Sequence, residues 1–180
     1  MQNSEPICIA DRQEAEREFK LSTSLIQRNI FRRFQCSVVV LTVHNSALDV
    51  GMTISSLVSV SLEPSLVSVC LAKQSMRALS FLNAREIAVH ILSEQEFFLA
   101  EMFAISGIEP FESLGIARTA NGTPILSTRG SVLIGRPYSI VDAGDHWIQL
   151  IELVQLSDSD QSSLTYVNGT YQQIEGSMHS

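Results

Sequence analysis

From Ser37 onward the chain is a succession of short apolar, β-branched runs cut by turn residues, and helical periodicity is confined to three stretches. That pattern limits the fold more than any single motif. Val38-Val39-Val40 within residues 37–42 reads as a buried strand. Asn45-Ser46 with Asp49 marks a turn, and residues 50–54 read as the returning strand. Residues 66–71, 86–92 and 147–156 are further strands, as is 131–141, with an interruption expected near Pro137. Residues 164–167, Asn168-Gly169 and 170–174 form a hairpin with a type I′ turn. Helical spacing covers residues 11–34, where Phe19, Leu25, Ile26, Ile30, Phe31 and Phe34 recur near every 3.6 residues. Ser22 or Ser24 could cap a second piece there, so one helix or two stays open. A short helix over 75–82 has Ser75 as its N-cap. A longer one over 93–104 opens with a Ser93-x-x-Glu96 capping box. Residues 107–123, with Pro110, Gly115 and Gly122, read as a long irregular loop of the kind that often serves function. Strands seldom alternate with helices, so an antiparallel barrel is expected rather than a doubly wound parallel sheet.

The 180 residues suit one domain over 11–180, behind a loose tail at 1–10. A net charge of −7 argues against a nucleic-acid surface, which needs clustered Lys and Arg. The one basic cluster, Arg28, Arg32 and Arg33, reads as a solvated helix face. No run of 18 apolar residues exists, so no membrane span is expected, and the first ten residues have no secretory pattern, so a cytoplasmic location is expected. Cys8, Cys36 and Cys70 fit neither a disulfide framework nor a zinc spacing. The two N-x-T sequons, at Asn121 and Asn168, read as turns.

The chain has no G-x-G-x-x-G and no P-loop, so any nucleotide is held by another arrangement. The best candidate is Gly51-Met52-Thr53-Ile54-Ser55-Ser56-Leu57-Val58-Ser59-Val60-Ser61-Leu62-Glu63-Pro64. Its small side chains let a ligand approach the backbone, and its hydroxyls and amides can bond an anionic or heteroaromatic group. A polar-edged strand and turn is the plainer reading. Lys73, Ser75 and Arg77 follow the next strand and could receive a phosphate beside a helix start. The second cluster is Asp142-Ala143-Gly144-Asp145-His146 at a strand start. It reads as a capped turn, as an imidazole beside a bound ring, or, on residue types alone, as metal ligands or a Ser55–His146–Asp145 triad. Adjacent Asp and His on a strand should face opposite ways, which counts against the triad. His44 and His179 are expected in solvent and His90 half-buried with its hydrogen bonds satisfied.

Residues 51–64, the following Leu66-Val67-Ser68-Val69-Cys70-Leu71 and Lys73-Gln74-Ser75, the Gly144-Asp145-His146 step, and Leu164-Thr165-Tyr166 with Gly169 and Tyr171 together resemble the flavin reductase-like family over residues 24–175. The resemblance implies a mainly β fold with short helices, an antiparallel Greek-key FMN-binding split barrel, assembled as a homodimer. It implies NADH or NADPH reduction of FMN, with FAD possible, and a partner monooxygenase that receives the reduced flavin. The flavin would contact Met52, Thr53, Ile54, Ser55, Ser56, Ser61, Cys70 and Ala72, with phosphate near Ser55, Ser56, Lys73, Ser75 and Arg77. Gly144 and Asp145 would complete the site, and His146 would seat the nicotinamide. A tightly bound flavin in a biosynthetic oxidoreductase, or a non-catalytic flavin-binding module, are the alternatives. No metal is implied. Two positions depart from the family pattern: His90 stands where Asn is usual, and Ser37 near a usual glycine.

Overall fold

The structure is a computed structural model and describes residues 9–45, 48–105 and 110–172. In chain order the elements are α1 (Ile9–Phe31), β1 (Cys36–Ser37), β2 (Val39–Asn45), β3 (Leu48–Ile54), β4 (Val58–Leu62), β5 (Ser65–Ala72), α2 (Ala78–Leu82), β6 (Ile87–Ile91), α3 (Phe97–Ala104), a 3₁₀ turn (Pro110–Ser113), β7 (Ile116–Arg118), β8 (Pro124–Leu126), β9 (Val132–Ala143), β10 (His146–Ser157), β11 (Thr165–Val167) and β12 (Thr170–Gln172). The expected antiparallel, mainly β architecture is what the structure has. Seven strands form one sheet in the order β3-β2-β6-β9-β10-β5-β4, and every pairing in it is antiparallel.

The two edge strands of that sheet, β3 and β4, are consecutive in sequence and joined only by Ser55-Ser56-Leu57. The chain from Ile54 to Val58 can span at most about 14 Å. Six gaps between strands in a flat sheet would separate those edges by about 29 Å. The sheet therefore has to roll until its edges approach, and the hydroxyl-rich bend lies at the seam.

Rolling gives the sheet an inside and an outside. Val39, Leu41, Met52, Val69, Leu71 and Ile151 fill the inside with Phe81 of α2. On the outside, Val38, Val40, Leu92, Leu99, Phe103 and Leu164 pack between the sheet, α3 and the β11–β12 hairpin. β2 is covered on both faces, which explains why it reads as a continuous apolar run.

Several expected boundaries shift for local reasons. The helix expected over 11–34 is one helix but ends at Phe31, leaving Phe34 in the turn beyond it, and Ser24 Oγ donates back to Leu21 O at 3.0 Å instead of capping a second piece. Its apolar stripe lies open, with Ile26 61% and Phe31 52% exposed. The strand expected at 37–42 divides at Val38, whose N–H donates to Leu164 O while its carbonyl accepts from Leu92 N–H. α2 starts at Ala78 behind Arg77 and has no side-chain cap, so Ser75 is not its cap. α3 begins at Phe97, four residues later than expected, and only half the capping box forms. Glu96 Oε2 accepts from Ser93 N–H at 2.9 Å, while the Ser93 hydroxyl is buried without a partner. Glu96 is drawn off by Thr128 Oγ1 and Arg129 N–H, at 2.8 Å each. Pro137 does not break β9, because the β6 pairing ends at Gly135 and the ladder to β10 shifts register next to Pro137. The described part of the 107–123 stretch contains the 3₁₀ turn and β7, which pairs with β8. Asn168 (φ 54°) and Gly169 (φ 84°) make the expected I′ turn. Residues 1–8 of the expected tail, Ser46 of the first turn, residues 106–109, the end of the last hairpin at 173–174, and His179 lie outside the described residues, while residues 9 and 10 are already helical. No described helix is long and apolar enough to cross a membrane.

His90 is wholly buried rather than half-buried. Its Nδ1 lies 3.0 Å from Val40 O, and its Nε2 accepts from Leu126 N–H at 3.1 Å. This neutral tautomer bridges β2 and β8. Burial pushes the imidazole down to about 4, against a partial upward pull from the Val40 carbonyl and Glu96. Between pH 6.5 and about 4 the unfolded chain takes up a proton that the folded chain refuses. Stability therefore falls as pH drops through that window and levels off below it, by about 3 kcal/mol in all. Guanidinium melts at pH 7 and 4.5 should show His90→Asn losing less stability over this range than the parent, and equal losses would contradict the bridge.

Candidate functional site

The bend at the seam is built by a side chain doing a strand's work. Val58 is in register with Ser68, so an unbroken β4 would put residue 56 opposite Cys70. The backbone has already turned away there. Ser56 Oγ instead accepts from Cys70 N–H at 3.0 Å and donates to Cys70 O at 3.3 Å. One hydroxyl thus satisfies both backbone groups that the missing strand would have paired. The splayed seam leaves a cleft of about 290 Å³ lined by Met52, Thr53, Ile54, Ser55, Ser56, Cys70, Ala72, Ser75 and His146. Ala72 is directly in register with His146, and Cys70 lies two residues along the same face. Small side chains therefore floor the cleft while the imidazole stands at its rim.

His146 follows a two-residue turn, Gly144-Asp145, between paired Ala143 and His146. Gly144 has φ +73° and Asp145 does not share a positive φ, the pattern of a type II′ turn. Because Asp145 sits in the turn and not on the strand, it can reach its neighbour: Oδ1 lies 2.7 Å from His146 Nδ1. The expectation that the two would face apart fails for this reason. The bond to His146 holds the Asp145 carboxyl below its ordinary range. The pair fixes the ring and leaves Nε2 as its other functional nitrogen.

Nine sequence-predicted residues thus share one cleft, and the others fall beside it. Gly144 and Asp145 shape the turn behind His146. Ser61 is on the outer strand β4, paired with Leu66, and does not line the cleft. Lys73 and Arg77, expected near a phosphate, are committed elsewhere. Lys73 Nζ lies 2.6 Å from Asp142 and 4.3 Å from the centre of the Trp147 ring, and Trp147 packs toward the barrel interior. That bond holds Asp142 below its ordinary value. Arg77 donates to the carbonyls of Gly51, Phe103 and Ala104.

A second hollow of about 210 Å³ meets the first at Thr53-Ile54-Ser55 and adds Val38, Ala104, Tyr166 and Tyr171. The two tyrosines face each other across the hairpin, with ring centres 5.3 Å apart. Burial, then the neighbouring Tyr166 and Glu101, push the Tyr171 phenol up, so it stays protonated. This wall was not assigned to the site from sequence, although the I′ turn at Asn168-Gly169 already places residues 166 and 171 opposite each other. Joined, the hollows reach the size class of pockets for cofactor-sized ligands, about 300–1,000 Å³.

A larger hollow of about 550 Å³ borders the β7–β8 hairpin, but its two charged groups, Arg118 and Glu86, are already paired. Arg118 binds both oxygens of Asp49, at 2.9 and 2.6 Å, and Gly122 O. His44, expected to be idle in solvent, joins the same carboxylate at 2.8 Å. Burial pushes Glu86 up, yet bonds from Thr119, Asn121 and Thr123 outweigh it and hold the carboxyl below its ordinary value.

Fold and cleft together define an antiparallel barrel with a ligand-sized cleft at its seam. The chain belongs to the flavin reductase-like domain family, whose sequence model matches residues 31–175. It is 30% identical over 145 residues to the reductase component of a flavin-dependent trigonelline monooxygenase of Acinetobacter baylyi, covering 80% of this chain and 47% of that protein. It is 31% identical over 144 residues to the FMN reductase (NADH) SmoA of Agrobacterium fabrum, covering 80% of this chain and 82% of that one. Among solved structures it is similar to BorF, the flavin reductase component of a bacterial two-component tryptophan halogenase, with TM-score 0.76 and 29% identity, over 84% of this chain and 96% of that one. The chain spans about half the length of some curated relatives it matches.

Gly144→Ala tests the turn that presents His146. An added Cβ meets nothing within 4 Å, so the whole cost is backbone strain at φ +73°. Chemical denaturation should show a loss of about 1–3 kcal/mol; no loss would mean that the turn does not hold this conformation.

Proposed function

We propose that the protein is an NAD(P)H-dependent flavin reductase that takes FMN, or FAD, in the seam cleft and passes reduced flavin to a separate monooxygenase. The observation that carries the reading is the joined cleft: small residues on its floor, neutral hydroxyls on its walls, and an aspartate-oriented imidazole at its rim. A flat heteroaromatic ring fits such a site, because Ala72 and Cys70 let it approach the sheet. The flavin, when bound, supplies a ring that accepts a hydride and carries two electrons onward.

The rest is the work of the chain. Ser55 and Ser75 offer hydroxyls toward the ribityl and phosphate end, while Ser56 Oγ has given its proton to Cys70 O and toward a ligand can only accept. Thr53 Oγ1 already donates to Ala100 O at 2.7 Å, so toward a ligand it can only accept. Backbone N–H groups along the bend stabilise negative charge on the reduced ring without reorganising. His146, held by Asp145, seats the nicotinamide over the exposed side of the cleft, where alignment lowers the barrier by proximity. Ser55 is solvent-exposed at the mouth, which favours a flavin that enters and leaves over one locked in place. The names of the trigonelline and tryptophan-halogenase reductase components support a partner oxygenase.

We also propose a homodimer. Leu62 on edge strand β4 is 88% exposed, and Val58 and Val60 beside it are about half exposed. Unpaired apolar edges of this kind invite pairing with another chain. Light scattering should give twice the 19.9 kDa chain mass, and a stable monomer would contradict it.

Loss of NADH absorbance on adding FMN tests the reductase reading, which fails if the rate does not exceed the flavin-only control. His146→Ala should raise the KM for NADH by roughly tenfold, a loss of about 1.4 kcal/mol, and change FMN affinity less; the reverse would refute its role.

A further inference from the structure

The wall of the cleft formed by β3 is fastened to α3 at three points. Arg77 Nη1 donates to Gly51 O and to Phe103 O, at 2.9 Å each, and Nη2 to Ala104 O at 3.5 Å. Thr53 Oγ1 donates to Ala100 O at 2.7 Å. The Phe103 ring occupies the space that Gly51 leaves open, since a Cβ there would come within 2.3 Å of two ring carbons.

Of the three α3 carbonyls, those of Phe103 and Ala104 belong to the last turn, and Ala100 precedes it. Carbonyls of the last turn have no acceptor role inside the helix and form the negative end of its dipole. The residue after the helix, Ile105, is extended (φ −76°, ψ 127°), so no left-handed cap closes the end. A guanidinium with a planar fan of donors suits this place, whereas a lysine ammonium is a compact point charge. Gly51 and Thr53 flank Met52, which lines the first hollow, and residues 53–55 line both. What holds α3 to β3 therefore holds the cleft wall.

The same geometry leaves the phosphate end short of cations. Arg77 is spent on carbonyls, and its Nε is buried without a partner. Lys73 is spent on Asp142 and Trp147. Among the described residues lining the cleft, His146 is the one that can carry positive charge.

We propose that Arg77 is a positioning residue for flavin: it latches the C-terminal turn of α3 onto the β3 wall and does not contact the phosphate. The inference rests on the flavin-reductase reading of this cleft. It separates two roles by their ligand dependence. A phosphate ligand matters for FMN and not for riboflavin, which lacks the phosphate. A latch matters for both, because it shapes the wall that meets the ring.

The test is flavin fluorescence titration with FMN and with riboflavin on the parent, Arg77→Met, Arg77→Lys and Thr53→Val. The latch predicts that Arg77→Met weakens both flavins by the same factor, roughly tenfold, and leaves the FMN-to-riboflavin affinity ratio unchanged. Thr53→Val should weaken both likewise. If Arg77→Met weakens FMN alone and brings the ratio toward one, Arg77 is a phosphate ligand and the proposal is overturned. Should Arg77→Met fail to fold, Arg77→Lys decides. It keeps a point charge that can serve a phosphate but cannot span three carbonyls, so the latch predicts loss for both flavins and the ligand role predicts FMN binding retained. Hydrogen exchange of α3 amides supplies a readout without flavin. Arg77→Lys should speed exchange in α3 while sparing β6, and unchanged α3 protection would refute the latch. A parent protein that binds neither flavin would overturn the reductase reading, and the exchange measurement would still judge Arg77.

Discussion

The structure depends on one covalent constraint: the first and last strands of a seven-stranded sheet are tied by three residues. Interior packing alone could be satisfied by a flat sheet with helices on it. The short tie between β3 and β4 excludes that and makes the sheet roll. Rolling strains the ladder at the seam, where Ser56 substitutes its hydroxyl for a strand partner of Cys70. A splayed seam repaired by a side chain is also a cleft. The hydroxyls that look out of place in an apolar strand region are therefore needed twice, once by the fold and once by any ligand that lies there.

Charge is distributed by the same economy. Asp49, Arg118 and His44 tie the β2–β3 hairpin to the β7–β8 hairpin. Glu96 gathers the turn before α3 and residues 128–129. Arg77 closes the end of α3, and Lys73 lies on Trp147. What remains in the cleft is mostly neutral: hydroxyls, amides, a thiol and a thioether. Neutral dipoles suit a ring whose charge changes during the reaction, because a fixed cation would bind one redox state far more tightly than the other. Asp145 and His146 are the exception, paired at the rim of the cleft.

The strands were legible because a period of two, or a β-branched run bounded by turn residues, survives in any tertiary context. The turn at Asn168-Gly169 was legible to the residue, since both positions need positive φ. Errors arose where a local signal had a competitor at long range. The Ser93–Glu96 box lost its helix start because Glu96 also serves Thr128 and Arg129, more than thirty residues away. Pro137 did not interrupt β9 because the edge it faces was already unpaired. β7 and β8 were missed because three-residue strands carry too little pattern to count. The apolar stripe on α1 was correctly periodic, but nothing described in the chain covers it.

By itself the sequence determined the β-rich class, the positions of most strands, and the residue types that gather at the seam, because these follow from local periodicity, turn chemistry and side-chain size. It also carried the family resemblance in motifs taken in order. Only the tertiary structure decided which cations were free. Lys73, Ser75 and Arg77 look equivalent along the chain, yet Ser75 lines the cleft, Lys73 lies against Trp147 and Arg77 grips α3. Hydrogen-bond partners of long side chains are chosen by distances between residues far apart in sequence, and no local pattern encodes those distances.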